Sequence, residues 1–177
     1  MQGMAAAAEL HARAGKQGCF VESVCLCASI IDAALRMGII LKHQLITRSS
    51  DLLPELLYQG SSDTPISERG IYRRALDDGV IDQDTFSELN DLYSSRNRVV
   101  HRYIISEITT REVLDIALRY EQLKDRITRV VEILEGEQVR ENVGMTVRKD
   151  NEFELPELLS FSRKKHGDDD LSEKLRK

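Results

Sequence analysis

The sequence predicts an all-α protein, an up-and-down antiparallel bundle of four or five helices followed by a C-terminal tail. Its 177 residues include only three Pro and no Trp and are rich in Leu, Ile, Ala, Glu and Arg, a composition that favours helices. Apolar residues recur at spacings of three and four over long stretches, which is the helical period. The loops between these stretches are short, and short loops favour antiparallel neighbours.

The first two predicted helices lie in the N-terminal third of the chain. An amphipathic segment runs from Ala5 to about Ala14 and ends near Gly15. The next helix should run from about Phe20 to Leu45. It carries two apolar stripes, and a helix that is apolar on more than one side lies at the centre of a bundle. The stripes are Val24, Ala28, Ile31 and Leu35 on one side and Cys27, Ile30, Ala34, Met37 and Leu41 on the other.

A loop and a third long helix should follow. Residues 49–64 have a loop-like composition with one short apolar turn at Leu52–Tyr58. Thr64 before Pro65 is a favourable helix start, because Thr caps a free backbone N–H and Pro fits the first helical position. This helix should end near Asp77, just before an Asp-Gly pair.

Two more helix starts are marked by capping residues. Asp82 can cap a helix that extends to about Ile104. Thr109 and Glu112 have the spacing of a capping box, in which each side chain bonds the backbone of the other. The helix after Thr109 keeps its apolar rhythm until Gly136. The residues of this rhythm are Val113, Ile116, Tyr120, Leu123, Ile127, Val130 and Leu134.

After about Val139 the helical rhythm fails. A small apolar cluster is followed by the charged run 163–170. We therefore expect one helical domain over residues 1–139 and a tail over 140–177 that is mobile or docks on its own or a second subunit. The cluster through which it would dock is Phe153, Leu155, Leu158, Leu159 and Phe161.

Composition also bounds the partners and the compartment. A formal net charge of -5 argues against indiscriminate binding of polyanions, so contact with RNA would need a local basic patch. The N-terminus lacks the basic region and apolar core of a signal peptide. No uninterrupted apolar stretch of about 18 residues is present, so no membrane span is expected. We expect a cytoplasmic protein.

The three cysteines do not indicate a metal or redox site by their spacing. Cys19, Cys25 and Cys27 are odd in number and lie on one predicted helix. We expect them to be small buried residues in a reducing cytosol, with a reactive thiol as the alternative. No His, Asp or Glu residues have metal-ligand spacing, so neither a metal nor another cofactor is expected.

The segment Arg96–Tyr103 carries the clearest chemical signal, the pattern R-N-x-x-x-H-x-Y. On a helix, Arg96 falls within an apolar stripe, where a charge is costly unless it is paired. Asn97 and His101 belong to a neighbouring polar, uncharged ridge, which suits a half-buried interface or cleft. A structural interpretation is also open, in which Arg96 reaches an acidic neighbour and His101 bonds a backbone carbonyl.

Two further basic residues flank the motif. Arg98 and Arg102 lie one turn apart on the predicted outer face of the same helix. They are expected to be solvated charges. They would also supply weak RNA binding, because they place positive field near the motif of an acidic protein.

The motif resembles that of HEPN domains (higher eukaryotes and prokaryotes nucleotide-binding), many of which are metal-independent ribonucleases. The likeness covers mainly residues 80–135 and is greatest to HEPN toxins paired with minimal nucleotidyltransferase antitoxins. It implies that two subunits meet through their motif helices. It also implies that Arg96 binds the scissile phosphate, that Asn97 orients the phosphate or its partner side chain, and that His101 is the acid–base residue. Tyr103 would be the residue that the antitoxin modifies with adenylyl groups.

The resemblance therefore predicts a homodimeric, metal-independent endoribonuclease, a toxin or defence protein. Cleavage by attack of the RNA 2′-hydroxyl needs a base, an acid and positive charge on the phosphate. A two-fold axis through the motif helices would supply two His and two Arg. Two alternatives stay open: a non-catalytic HEPN module that binds a nucleotide or a nucleotidyltransferase, and a plain helical scaffold whose motif is a structural salt-bridge site.

Overall fold

Six α-helices pack as a bundle in the computed structural model, which describes residues 2–57 and 64–147. The predicted all-α helical bundle is confirmed. The additional helix is the four-residue α3, which lies where only an apolar turn was expected. The helices are α1 (Gln2–Gln17), α2 (Phe20–Thr47), α3 (Pro54–Leu57), α4 (Glu68–Asp77), α5 (Gln83–Arg102) and α6 (Thr110–Glu141), and a 3-10 turn follows at Met145–Val147.

α2 is the central helix, as its two apolar stripes predicted. It packs against each of the other five α-helices, and α6 is its main partner. Of the nine stripe residues only Met37 is half-buried; the other eight are buried in the core. By length and composition α2 could also cross a membrane, since its most apolar window has a mean hydropathy of 2.0, but 61% of that window is buried inside the bundle. These properties are compatible with the core helix of a soluble protein.

The predicted caps of α5 and α6 are confirmed. The Asp82 carboxylate accepts a hydrogen bond from the Thr85 backbone N–H at 2.8 Å, and hydrogen bonding to the side chain and the backbone of Thr85 lowers the pKa of Asp82. The Thr109 hydroxyl accepts from the Glu112 N–H at 3.2 Å, and the Glu112 carboxylate accepts from the Thr109 N–H at 2.7 Å. Local capping hydrogen bonds therefore set the residues at which the motif helix α5 and the next helix α6 begin.

The predicted start of α4 is wrong. The helix begins at Glu68, with Ser67 as its N-cap, and Thr64 and Pro65 lie outside it. The Ser67 hydroxyl accepts a hydrogen bond from the Gly70 N–H at 3.1 Å. Capping at Ser67 also places the Glu68 carboxylate in the first turn, at the positive end of the helix dipole. The predicted end at Asp77 is correct.

α6 continues past Gly136, the residue up to which its apolar rhythm was followed, and ends at Glu141. Asn142 then takes a left-handed conformation (φ 53°) and reverses the chain, so that Met145–Val147 packs on the helix end. The described residues continue to Val147, and the domain boundary after residue 139 stays a prediction. Residues 148–177, which include the apolar cluster assigned to the tail, lie outside the described residues.

Candidate functional site

The charge of Arg96 is paired within the subunit. Its side chain is 20% exposed, and Nη1 lies 2.7 Å from the Glu68 carboxylate. Nη2 donates a hydrogen bond to Asn97 Oδ1 at 3.0 Å, and the guanidinium stacks 4.8 Å from the centre of the Tyr93 ring. Burial disfavours the charged form, but the interaction with Glu68 outweighs it, and the pKa of Arg96 is raised. The structure thus brings the first two motif residues together.

Glu68 also forms a second contact, within α4 itself. Its other carboxylate oxygen accepts a hydrogen bond from the Tyr72 hydroxyl. Tyr72 is fully buried, and burial together with Glu68 raises its pKa, so the phenol stays neutral and donates. One carboxylate therefore serves a guanidinium and a phenol. This is the acidic neighbour that the structural interpretation of Arg96 requires.

A small polar cavity of about 290 Å³ adjoins this ion pair. Arg36 Nε donates to Asp32 Oδ2 at 2.7 Å, while Asp32 Oδ1 is buried and has no partner among residues 2–57 and 64–147. The two guanidinium groups are thus each balanced by a carboxylate, and an anion entering the cavity would compete with Glu68 for Arg96. The polar side chains that line the cavity are Ser29, Asp32, Arg36, Glu68 and Arg96.

His101 lies apart from Arg96, in the last turn of α5. The two are five positions apart on the helix, so their side chains leave it about 140° apart. His101 is exposed, and it forms no hydrogen bond or ion pair with the described part of the chain. The backbone-carbonyl partner of the structural interpretation is therefore not found there. Arg98 and Arg102 are exposed, as their place on the outer face predicted.

Apolar residues are exposed beside His101. We call Val100, Tyr103, Ile104 and Ile105 the α5 end patch. Ile104 is 95% exposed and Ile105 is 82% exposed, because α5 ends at Arg102 and not at Ile104 as predicted. The Tyr103 hydroxyl is within hydrogen-bond distance (3.1 Å) of the Thr110 hydroxyl. Exposed apolar clusters on a highly charged surface are typical of sites where another molecule binds.

A second group of reactive side chains was not found from the sequence. His11, Cys27 and Glu121 place one ligand-type atom each within 4.8 Å of the others. These residues lie on α1, α2 and α6, so no local spacing marks them. Cys27 is buried, as expected, while Cys19 and Cys25 are half-buried. Burial and the nearby Glu121 raise the pKa of the Cys27 thiol to about 12.

Comparison with known proteins adds no relative on which to place these residues. No family model matches the chain, and no curated protein or solved structure matches it significantly. The resemblance to HEPN domains therefore depends on the motif of α5 and on a helical fold that many families share.

Proposed function

We propose that the chain is a metal-independent endoribonuclease of HEPN type that acts as a homodimer, a toxin or defence protein of the cytoplasm. The observation that carries this proposal is the R-N-x-x-x-H-x-Y motif on one helix, with an exposed imidazole at the helix end. In it, Arg96 holds the scissile phosphate, Asn97 orients the guanidinium, and His101 transfers protons. The hydrogen bond from Arg96 Nη2 to Asn97 Oδ1 supports the orienting role.

The helix geometry supports a role for a second subunit. Arg96 and His101 leave α5 about 140° apart, so a partner subunit would help to bring a guanidinium and an imidazole to the same phosphate. The α5 end patch lies next to His101 and is apolar enough to be buried between two copies. Association through this patch would place two imidazoles on one side of the dimer, one as base and one as acid.

The surrounding charges give RNA a means of approach. The whole chain is acidic, but Arg98 and Arg102 are exposed on the helix that carries His101. They would draw phosphates toward the helix end and would bind them weakly. Arg96 is held by Glu68, so a bound phosphate would have to take over part of that interaction.

Cleavage of RNA by the purified protein tests the proposal directly. Wild-type protein should cut single-stranded RNA at the same rate with and without excess EDTA, because both proton transfers use imidazole. The products should carry 2′,3′-cyclic phosphate ends, as attack by the 2′-hydroxyl requires. RNA that stays intact at every length and sequence tested would contradict the proposal.

Charge placed in the α5 end patch should break the dimer. For Ile104→Asp we expect the dimer dissociation constant to rise by two to four powers of ten, because two Ile side chains, each worth about 1.5–3 kcal/mol when buried, leave the interface. Analytical ultracentrifugation measures the change, and cleavage should fall with it. Ile133→Asp on α6 is the control, since Ile133 is also exposed (55%) and is far along the chain from the motif. A dimer unaffected by Ile104→Asp would place the interface elsewhere.

A nucleotidyltransferase antitoxin is the protein partner that this proposal includes. Tyr103 is 38% exposed, and its hydroxyl lies 3.1 Å from the Thr110 hydroxyl, its one bonding partner among residues 2–57 and 64–147. Co-expression with a nucleotidyltransferase encoded beside the gene should add the mass of AMP to a peptide that contains Tyr103. The same peptide without added mass would remove this partner from the proposal.

A non-catalytic HEPN module is the second candidate, and the Arg96–Glu68 ion pair favours it. An arginine already neutralised at 2.7 Å is less able to stabilise a developing phosphate charge than a free one. Such a protein would leave RNA intact but would bind a nucleotide or a nucleotidyltransferase. The same ion pair also favours the third alternative, a plain helical scaffold. The exposure of His101 does not support that alternative.

A further inference from the structure

Three polar atoms converge on a single ring nitrogen of His11. Nε2 of His11 lies 3.0 Å from Glu121 Oε2, 3.1 Å from Cys27 Sγ and 3.1 Å from Ser23 Oγ. A ring nitrogen carries either one hydrogen or one lone pair, so it bonds well with only one of these atoms at a time. The Cys27 sulfur is also 3.5 Å from Glu121 Oε2. The cluster therefore contains more hydrogen-bond donors and acceptors than can be paired with one another.

We propose that His11, Cys27 and Glu121 bind a divalent transition-metal ion of the zinc type. An imidazole nitrogen, a thiolate sulfur and a carboxylate oxygen together form the donor set that suits zinc. Around a tetrahedral zinc ion with bonds of about 2.0–2.3 Å, ligand atoms lie about 3.3–3.7 Å from one another. The observed separations of 3.0, 3.1 and 3.5 Å require only small outward shifts of the side chains.

The surroundings supply the remaining parts of a metal site. Lys124 Nζ bonds the Oε1 atom of Glu121, which orients the carboxylate and leaves Oε2 for the ion. A cavity of about 790 Å³, lined in part by His11, Ser23 and Glu121, opens onto the cluster. A water molecule from this cavity or the Ser23 hydroxyl would occupy the fourth position. On binding, the Cys27 S–H bond breaks, the sulfur binds the ion, and the proton passes to solvent.

The ion would join three helices that are distant in sequence. His11 is on α1, Cys27 on α2 and Glu121 on α6, so the site would fix the N-terminal helix on the bundle. This inference does not depend on the proposed function, since the RNA site lies on α5 and is expected to work in EDTA. Sequence spacing did not indicate this site, because Cys27 lies 16 positions from His11 and 94 positions from Glu121.

Titration of the full-length, metal-stripped protein with Zn²⁺ and Co²⁺ tests the site. We expect one ion per chain and a higher melting temperature that EDTA reverses, because an ion that binds only the folded state stabilises it. Co²⁺ should produce a thiolate-to-metal charge-transfer band and the strong visible absorption of four-coordinate cobalt. Co²⁺ bound without a thiolate band, or no saturable binding, would overturn the proposal.

Single-ligand variants locate the ion. His11→Gln, Glu121→Gln and Cys27→Ser should each weaken zinc binding by at least about 100-fold, because loss even of an outer-shell partner weakens metal sites by about 10–100-fold. Cys25→Ser and His43→Gln are matched controls on α2 that should leave affinity unchanged. Cys27→Ser should also remove the charge-transfer band. Cys27 is fully buried, so the zinc affinity of His11→Gln decides the test if Cys27→Ser does not fold. A zinc affinity of His11→Gln equal to that of the wild type would refute the assignment.

Discussion

His101→Ala is expected to lower the rate of RNA cleavage by about 10²- to 10⁴-fold, the usual contribution of a positioned acid–base group. The fold should not change, because His101 is exposed and has no partner in the described part of the chain. Replacement of an exposed side chain usually changes the free energy of unfolding by less than about 0.5 kcal/mol. Single-turnover cleavage rates and thermal unfolding of both proteins measure the two effects separately.

His43→Ala is the control for this prediction. His43 is a half-buried histidine on α2 and lies outside the motif, so its loss should leave cleavage intact. Arg96→Ala should impair cleavage at least as strongly as His101→Ala, but it leaves the half-buried Glu68 unpaired and destabilises the fold as well. The exposed histidine therefore gives the cleaner test. Equal rates for wild type and His101→Ala would exclude the catalytic role.

The features that the sequence predicted well are local ones. Asp82 and Thr109 cap their helices with partners three residues away, Thr85 and Glu112, so the signal and the bond lie within one turn. The central place of α2 follows from its own periodicity, which is independent of the identity of its neighbours. Helix type and core faces were predictable for the same reason.

Helix ends depend more on competition between local and tertiary terms. Gly136 costs about 1 kcal/mol relative to Ala in a helix, which favours an end there. Beyond it, Gln138 is fully buried and bonded across to α2, and this outweighs the glycine. At the start of α4, two capping sites compete within four residues, and Ser67 prevails over Thr64.

The partners of the candidate sites could not be predicted, because they are distant in sequence. Glu68 precedes Arg96 by 28 residues and meets it only because α4 packs on α5. Likewise, Glu121 follows Cys27 by 94 residues and lies beside it because α6 packs on α2. The motif thus indicated that burial of Arg96 is costly, but the carboxylate that pairs with Arg96 depends on how the helices pack.

Gln138→Leu is expected to lower the free energy of unfolding by about 2–3 kcal/mol, since it removes the hydrogen bonds of a fully buried amide. The amide of Gln138 donates to the Leu41 carbonyl at 3.3 Å and to Gln44 Oε1 at 2.8 Å. Its oxygen accepts from the Thr146 N–H at 3.2 Å and from the Thr146 hydroxyl at 2.7 Å. Leucine has a similar size but makes none of these bonds, so the effect is one of hydrogen bonding and not of volume.

Gln122→Leu on the same helix is the matched control, because Gln122 is exposed and its replacement should change stability by less than about 0.5 kcal/mol. Urea unfolding of both variants gives the comparison. Hydrogen exchange adds a local readout: the amides of Met145 and Thr146 bond to Gln44 and Gln138 and should exchange faster only in Gln138→Leu. Equal stability of the two variants would mean that water replaces the lost bonds at no cost, and that the end of α6 is held by apolar packing alone.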